Sequence, residues 1–275
     1  FEGISDGVTN SNFLLKTGKD GTTTKTILTL FEKHYKLEEL PYFAALMEWW
    51  SDREVPCPRP IVMKDGRILS ALKEKPAILV SFLEGDGVTR ITNEHIAQVA
   101  DVVAKMHVSG LDFPHKRDNS MSLDAWEATI DGLQEQFDRI TPGLSKIIAD
   151  EYNYLSEHWP SDLPKGPIHA DLFPDNVFFL GDDVSGLIDF YFACSDAFAY
   201  DLAITHAAWC FDQNGVNFHP DLSRALIAGY ESTRPLSGEE RAALPMLAKG
   251  AAMRFILSRA DDWLHTPADA LVERK

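Results

Sequence analysis

The chain has 275 residues, 45% of them hydrophobic, and a formal net charge of −16. That length supports a sizeable core in one large or two modest domains. So acidic a surface argues against nucleic acid and against an anionic membrane as partners, although a pocket can still be locally positive. The three cysteines, Cys57, Cys194 and Cys210, are scattered without a C-x-x-C, which reads as free thiols in a reducing compartment. No apolar run approaches a membrane span and nothing at the start has the pattern of a signal peptide, so the expected location is cytoplasmic. The chain begins at Phe1, without Met, beside a Gly-containing loop, and further residues are expected to precede it in the native protein.

Phe1–Lys16 reads FEGISDGVTNSNFLLK. Gly3 and Gly7 bracket a turn, and Asn10-Ser11-Asn12 lead into a strand over Phe13–Lys16. Glycines between strands let backbone N–H groups approach phosphate oxygens, and small polar side chains add donors. Gly7, Asn10, Ser11 and Asn12 are therefore candidate nucleotide contacts; an ordinary hairpin turn is the competing reading. Gly18–Thr24 is a polar tip, and the β-branched Thr26–Glu32 a strand with Thr29 at its centre. Glu38–Trp50 places Leu40, Phe43, Ala44, Met47 and Trp50 at helical spacing. Pro56, Pro58 and Pro60 break regular structure. Ile61–Met63, the turn Lys64-Asp65-Gly66 and Arg67–Leu72 suggest a hairpin, and Ala77–Leu83 is a buried strand ended by Glu84-Gly85.

The chain then becomes mainly helical. Thr92 caps a helix to about Gly110, with Ile96, Val99, Val103 and Met106 on one face; His107 near its end reads as structural. Ser122 caps a second helix with an apolar stripe from Leu123 to Phe137, and Pro142 starts a third to about His158. Further helices are expected near Ala197–Phe211, Pro220–Glu231 and Ser237–Leu264. Asp201 stands at the first of these helix starts, as an N-cap, a brace for the preceding loop, or both.

Between them lies Ile168–Asp189, IHADLFPDNVFFLGDDVSGLID. His169-x-Asp171 is followed by Asn176, and Asp189 closes an apolar run. Gly166–His169 reads as a strand end, Asn176–Leu180 as a strand, Gly181-Asp182-Asp183 as a turn and Gly186–Phe190 as a second strand. A hairpin of this kind brings Asn176 near Asp189. Taken singly, these are loop carboxylates, a turn residue and a core histidine. Together they have the H-x-D-L-x-x-x-N…D order of protein kinases. Phosphoryl transfer to a hydroxyl needs a carboxylate to accept the proton and oxygen ligands for Mg²⁺. Asp171 is the candidate base, and Asn176 and Asp189 the candidate metal ligands. In that plan Ser81–Gly85 is the hinge, with Phe82 and Leu83 presenting backbone to an adenine edge. Thr29, with Lys25 and Lys33 at the strand ends, leaves the phosphate-binding cation unassigned; Glu38, Glu39 and Glu48 are candidates to pair with it.

Ala170, where protein kinases carry Arg, makes the motif similar to the aminoglycoside phosphotransferase and choline kinase branch of the kinase-like fold. Within that branch, GVTNSNFLL, the run IHADLFPDNVFFLGDDVSGLIDFYFACSD, and AYD, AWCF, RPLS and RF…DWLHTP resemble the bacterial homoserine kinases. The resemblance covers nearly the whole chain, which starts later than members of that family usually do. It implies an α+β, two-lobe protein kinase-like fold, with a small β-rich N-lobe over residues 1–85 and a larger, mainly helical C-lobe over residues 86–275. It also implies ATP and Mg²⁺, L-homoserine as acceptor, O-phospho-L-homoserine as product and a step towards threonine. Homoserine is a zwitterion, so a cation is expected for its carboxylate. Arg254 and Arg259 are the candidates for that role. Trp209, Trp263, Tyr191 and Phe192 are aromatics for an acceptor pocket, and would equally suit choline. Choline, an aminoglycoside or another small alcohol as acceptor remain alternatives, as does a pseudokinase that holds nucleotide without turnover.

Overall fold

The computed structural model describes residues 2–4, 10–19, 22–31, 36–212 and 215–265. Strands β1 (Glu2–Ile4), β2 (Ser11–Lys19), β3 (Thr22–Leu30), β4 (Leu69–Leu72) and β5 (Lys75–Ser81) make one antiparallel sheet in the order β1-β2-β3-β5-β4. The β-branched run of β3 explains its central place: it pairs with β2 on one side and β5 on the other, with Thr29 opposite both Asn12 and Ile78. The helical spacing after residue 38 becomes α1 (Leu40–Ser51), which buries Leu40, Phe43, Ala44, Met47 and Trp50.

One hairpin differs from expectation. The turn at 64–66 forms, with Met63 N donating to Arg67 O at 2.8 Å, but Ile61 hydrogen-bonds to β5 through Leu79 O instead. The true hairpin is β4–β5, closed by Lys73 and Glu74, both at positive φ. Neither is Gly or Asn, so the residue types concealed that turn.

The larger lobe begins with α2 (Asn93–Gly110). Its cap forms as expected: Thr92 Oγ1 accepts from His95 N, and His95 Nδ1 accepts from Thr92 N. Trp49 and Trp50 of α1 donate to the carbonyls of Ser109 and Met106, tying the two lobes together. Next come α3 (Leu123–Leu133), α4 (Leu144–His158), β6 (Lys165–Ile168), β7 (Val177–Leu180), β8 (Asp183–Leu187), β9 (Cys194–Ala197), α5 (Phe198–Trp209), α6 (Pro220–Thr233) and α7 (Gly238–His265). β6 pairs with β9 and β7 with β8, both antiparallel.

Two apolar cores result. The first joins α1, the inner face of β5, α2 and α6 to the β7–β8 hairpin; the second joins α3, α4, α5 and α7. Leu172 belongs to the first, and Ile168 and Ala170 to the second. The loop that carries Asp171 is thus rooted in both. Among the described residues no helix is long and apolar enough to cross a membrane.

Candidate active site

The loop after β6 is fixed by its own polar groups. His169 is fully buried and its Nε2 lies 2.9 Å from the Ile188 carbonyl. A carbonyl only accepts, so Nε2 carries the proton and Nδ1 is left to accept Asp171 N at 3.3 Å. Burial lowers the His169 pKa, consistent with this neutral ring. Ala170 has φ +62°, a left-handed backbone that turns Asp171 back across the loop. Asn176 Nδ2 donates to Asp171 O at 2.8 Å, which orients the amide and leaves its oxygen for another partner.

The hairpin then delivers Asp189. Val177 pairs with Leu187, and Ile188 N donates to Asn176 O at 3.0 Å, so Asn176 and Asp189 lie on adjoining strand ends. β8 follows directly on the Gly181-Asp182 turn and spans Asp183–Leu187 instead of the expected Gly186–Phe190, with a bulge in the pairing at Phe178/Phe179. Asp189 itself leaves the strand at φ +63°. Its carboxyl reaches water yet is ringed by protein, and that desolvation, with the charges of Asp171 and Asp175, pushes its pKa up to about 6. Desolvation also raises Asp171, against the opposing charge of Arg254. Carboxylates and an amide oxygen are the donor types a hard divalent cation takes, but among the described residues no group of three or more His, Cys, Asp or Glu is placed to hold a metal, so phosphates and water would have to complete its shell.

Asp201 is the brace beneath the loop. Its Oδ2 accepts His169 N at 2.9 Å and its Oδ1 accepts Ala170 N at 2.7 Å. His107 Nε2 donates to the same Oδ2 at 2.9 Å, and His107 Nδ1 meets Tyr230 Oη at 2.8 Å. Burial alone would raise the Asp201 pKa; the His107 bond, the two histidines and the loop amides overrule it and hold it low. Asp201 lies inside α5, whose N-cap is Ala197, so the N-cap reading is corrected in favour of the brace.

Two acceptor-side expectations are also corrected. Arg254 is 3% exposed, and its Nη1 and Nη2 bond Ala170 O and Asp171 Oδ1. Its fork is engaged by the catalytic loop instead of facing a ligand carboxylate. Trp209 is fully buried, donating from Nε1 to Leu172 O at 2.9 Å, so it supports the loop from behind. The four proposed cage aromatics do not converge: Tyr191 packs edge-on against Phe31 and Phe43, Phe192 lies under Arg254, and Trp263 is exposed near the end of α7. Arg259 is exposed over Phe255.

On the sheet side, Gly7 and Lys33 lie outside the described residues. Asn10 precedes β2, Ser11 and Asn12 open it, and Asn12 Oδ1 accepts the buried Thr29 hydroxyl at 2.8 Å. Lys25 pairs with Glu84 at 2.9 Å and lies over the Phe82 ring. Glu39 pairs with Arg117, which also holds Ala193 O just past Asp189. The ladder of β5 stops at Ser81 and a bridge from Asp86 to Phe179 follows, leaving Phe82 and Leu83 between them. Gly85 is at φ +127°, and a Cβ there would lie 2.3 Å from Ser185 Oγ and 2.7 Å from Phe179 O. The hinge therefore lies flat against the hairpin that carries Asn176 and Asp189.

The model of the phosphotransferase enzyme family matches residues 1–236. The homoserine kinase of Methylobacterium radiotolerans is 50% identical over all 275 residues, which cover 84% of that protein. The homoserine kinase of Agrobacterium fabrum is 48% identical with the same coverage. Among solved structures, an amicoumacin kinase in complex with AMP-PNP, Ca²⁺ and its ligand superposes with a TM-score of 0.74 at 14% identity, over 98% of this chain and 83% of that one. A choline kinase from Cryptosporidium parvum superposes at 0.65 and 16% identity, over 95% and 82%. With a small antiparallel sheet lobe, a helical lobe and the loop–hairpin site in this kinase-like arrangement, the chain belongs to the phosphotransferase enzyme family.

Proposed function

We propose that the chain is an ATP- and Mg²⁺-dependent kinase that phosphorylates the hydroxyl of L-homoserine to O-phospho-L-homoserine, a step towards threonine. The observation that carries the chemistry is the convergence of Asp171, Asn176 and Asp189 on one braced loop and hairpin. The full-length identity to homoserine kinases supports the acceptor.

Asp171 takes the acceptor's hydroxyl proton as the oxygen attacks the γ-phosphorus in line. Arg254 Nη2 donates to this carboxylate at 3.2 Å and so restrains it. Asn176 Oδ1 and Asp189 would hold the metal, which would supply charge neutralisation on the phosphates. Residues 1–85 form the nucleotide lobe, with Asn10, Ser11 and Asn12 over the phosphates and the Phe82–Leu83 backbone at the base; residues 86–275 carry the catalytic loop and acceptor. Buried thiols at Cys57, Cys194 and Cys210, all with pKa raised by burial, fit a cytoplasmic setting.

Choline is disfavoured because the rings that would cage it point to separate places. The test is ADP release with ATP and Mg²⁺ across L-homoserine, choline and an aminoglycoside. Turnover is expected with L-homoserine, falling roughly 10²–10⁴-fold in Asp171→Asn while nucleotide binding persists. Preference for another acceptor overturns the assignment, and nucleotide binding without any transfer favours a pseudokinase.

A further inference from the structure

A cavity of about 220 Å³ lies in the larger lobe, lined by Asn119, Ser122, Asp124, Trp126, Asp196 and Tyr200 among others. Three chain connections lead from it to the base. Asp196 lies on β9, paired with the β6 strand that runs into His169. Tyr200 precedes Asp201, the brace of the loop. Gly250 of α7 packs against Trp159 and Trp126, where a Cβ would lie 2.3 Å from the Trp159 ring, and Arg254 follows one turn later on the same helix.

Its polar groups are unusual. Trp126 Nε1 and Tyr200 Oη are buried without a hydrogen-bond partner, in side chains that are 2% and 1% exposed. Native proteins seldom leave such groups orphaned. An indole N–H only donates, so its missing partner is an acceptor. The start of α3 borders the same space. Its first intrahelical bond is Trp126 N to Ser122 O, so the amides of Leu123, Asp124 and Ala125 precede the ladder, and the Ser122 side chain makes no cap bond. On the other side Asp196 accepts from Asn119 Nδ2 and from Ala197 N, both at 2.7 Å, and retains lone pairs for a cation. Asp124 adds a second carboxylate, and no Lys or Arg is among the lining residues.

Resting on the proposed kinase activity, we infer that this cavity is the acceptor subsite and recognises the zwitterionic end of a small α-amino acid. The ammonium is held by Asp196, with Asp124 adding negative potential. The carboxylate takes hydrogen bonds from Trp126 Nε1, Tyr200 Oη and the first amides of α3. The volume lies below the roughly 300–1,000 Å³ of sites for drug-sized ligands, which suits a few-carbon amino acid. The side-chain hydroxyl then extends towards Asp171.

The test compares the full chain with Asp196→Asn, Trp126→Phe and Tyr200→Phe. Acceptors are L-homoserine, 3-aminopropan-1-ol (no carboxylate) and 4-hydroxybutanoate (no amine). Asp196→Asn is expected to raise the KM for L-homoserine roughly tenfold to hundredfold, with 4-hydroxybutanoate little affected. Trp126→Phe and Tyr200→Phe are expected to raise it about tenfold, with 3-aminopropan-1-ol little affected. The KM for ATP holds in all three. The two aromatic variants each delete only a donor, so they decide the matter if Asp196→Asn does not fold. Unchanged KM for L-homoserine in both means the cavity holds only water, and overturns the assignment. An equal loss towards all acceptors overturns it too, because that marks a structural role. Calorimetric titration of L-homoserine separates this inference from the activity beneath it. Binding by the wild type that Asp196→Asn loses supports the cavity even without turnover, whereas wild-type turnover with unaltered variants refutes the cavity alone.

Discussion

Replacing Asp201 with Asn tests the brace while keeping its shape. The carboxylate accepts three hydrogen bonds in a fully buried place: His169 N and His107 Nε2 on Oδ2, and Ala170 N on Oδ1. An amide retains one accepting oxygen. If its nitrogen takes the Oδ2 position, His107 can exchange tautomers and accept from it, but His169 N–H then faces another donor. If the nitrogen takes the Oδ1 position, Ala170 N–H is stranded. Either orientation leaves one buried loop amide unsatisfied, at about 1–3 kcal/mol. Taking about 2 kcal/mol, a chain of this size should melt roughly 4–8 °C lower. Because the stranded amide belongs to the residues just before Asp171, kcat should fall at least tenfold while the KM for ATP holds. Thermal melting and steady-state kinetics read both quantities. An Asp201→Asn protein with wild-type Tm and kcat would refute the claim that these bonds position the base.

Arg254→Lys keeps the charge but loses the fork across Ala170 O and Asp171. It should lower kcat about tenfold with little change in acceptor KM; a selective rise in acceptor KM would instead restore the carboxylate-binding role. Gly85→Ala places a Cβ against Ser185 Oγ and Phe179 O at a left-handed φ, so stability should fall by about 1–3 kcal/mol and the KM for ATP should rise, read by melting and kinetics. His107 and His169 are buried with pKa lowered from 6.5 by desolvation. The unfolded chain takes up these protons first, so their contribution is present above about pH 6.5 and is lost as pH falls below it. Asp171 and Asp189, raised in the fold, act in the opposite direction. His107→Gln should therefore melt at a lower temperature, with a shallower decline in Tm between pH 6.5 and 5; an unchanged slope would exclude His107 from that dependence.

Much of this site can be read from residue order, because the fold places neighbours in sequence into neighbouring roles. His169, Asp171 and Asn176 share one loop, and the Thr92 cap and the α2 stripe follow local rules. What escaped depended on burial or on irregular backbone. β8 begins directly after the Gly181-Asp182 turn, three residues earlier than expected, because polar Asp183 and Ser185 obscure its first half. The short CSDA strand β9 has no alternation to reveal it, so its pairing with β6 went unseen. Arg254 and Trp209 were singled out for their chemistry, but only packing shows that both face the catalytic loop. The orphaned polar atoms of Trp126 and Tyr200 become visible only in three dimensions.

The division of the interior has an evolutionary corollary. Helices α3 and α4 belong to the second core and α1 and β5 to the first, while α5 contributes to both. Substitutions on α3 and α4 can be absorbed largely within the second core, whereas changes in α5 or in the Asp171 loop are felt in both. A lineage can thereby alter its helical walls while keeping the loop and hairpin that carry Asp171, Asn176 and Asp189.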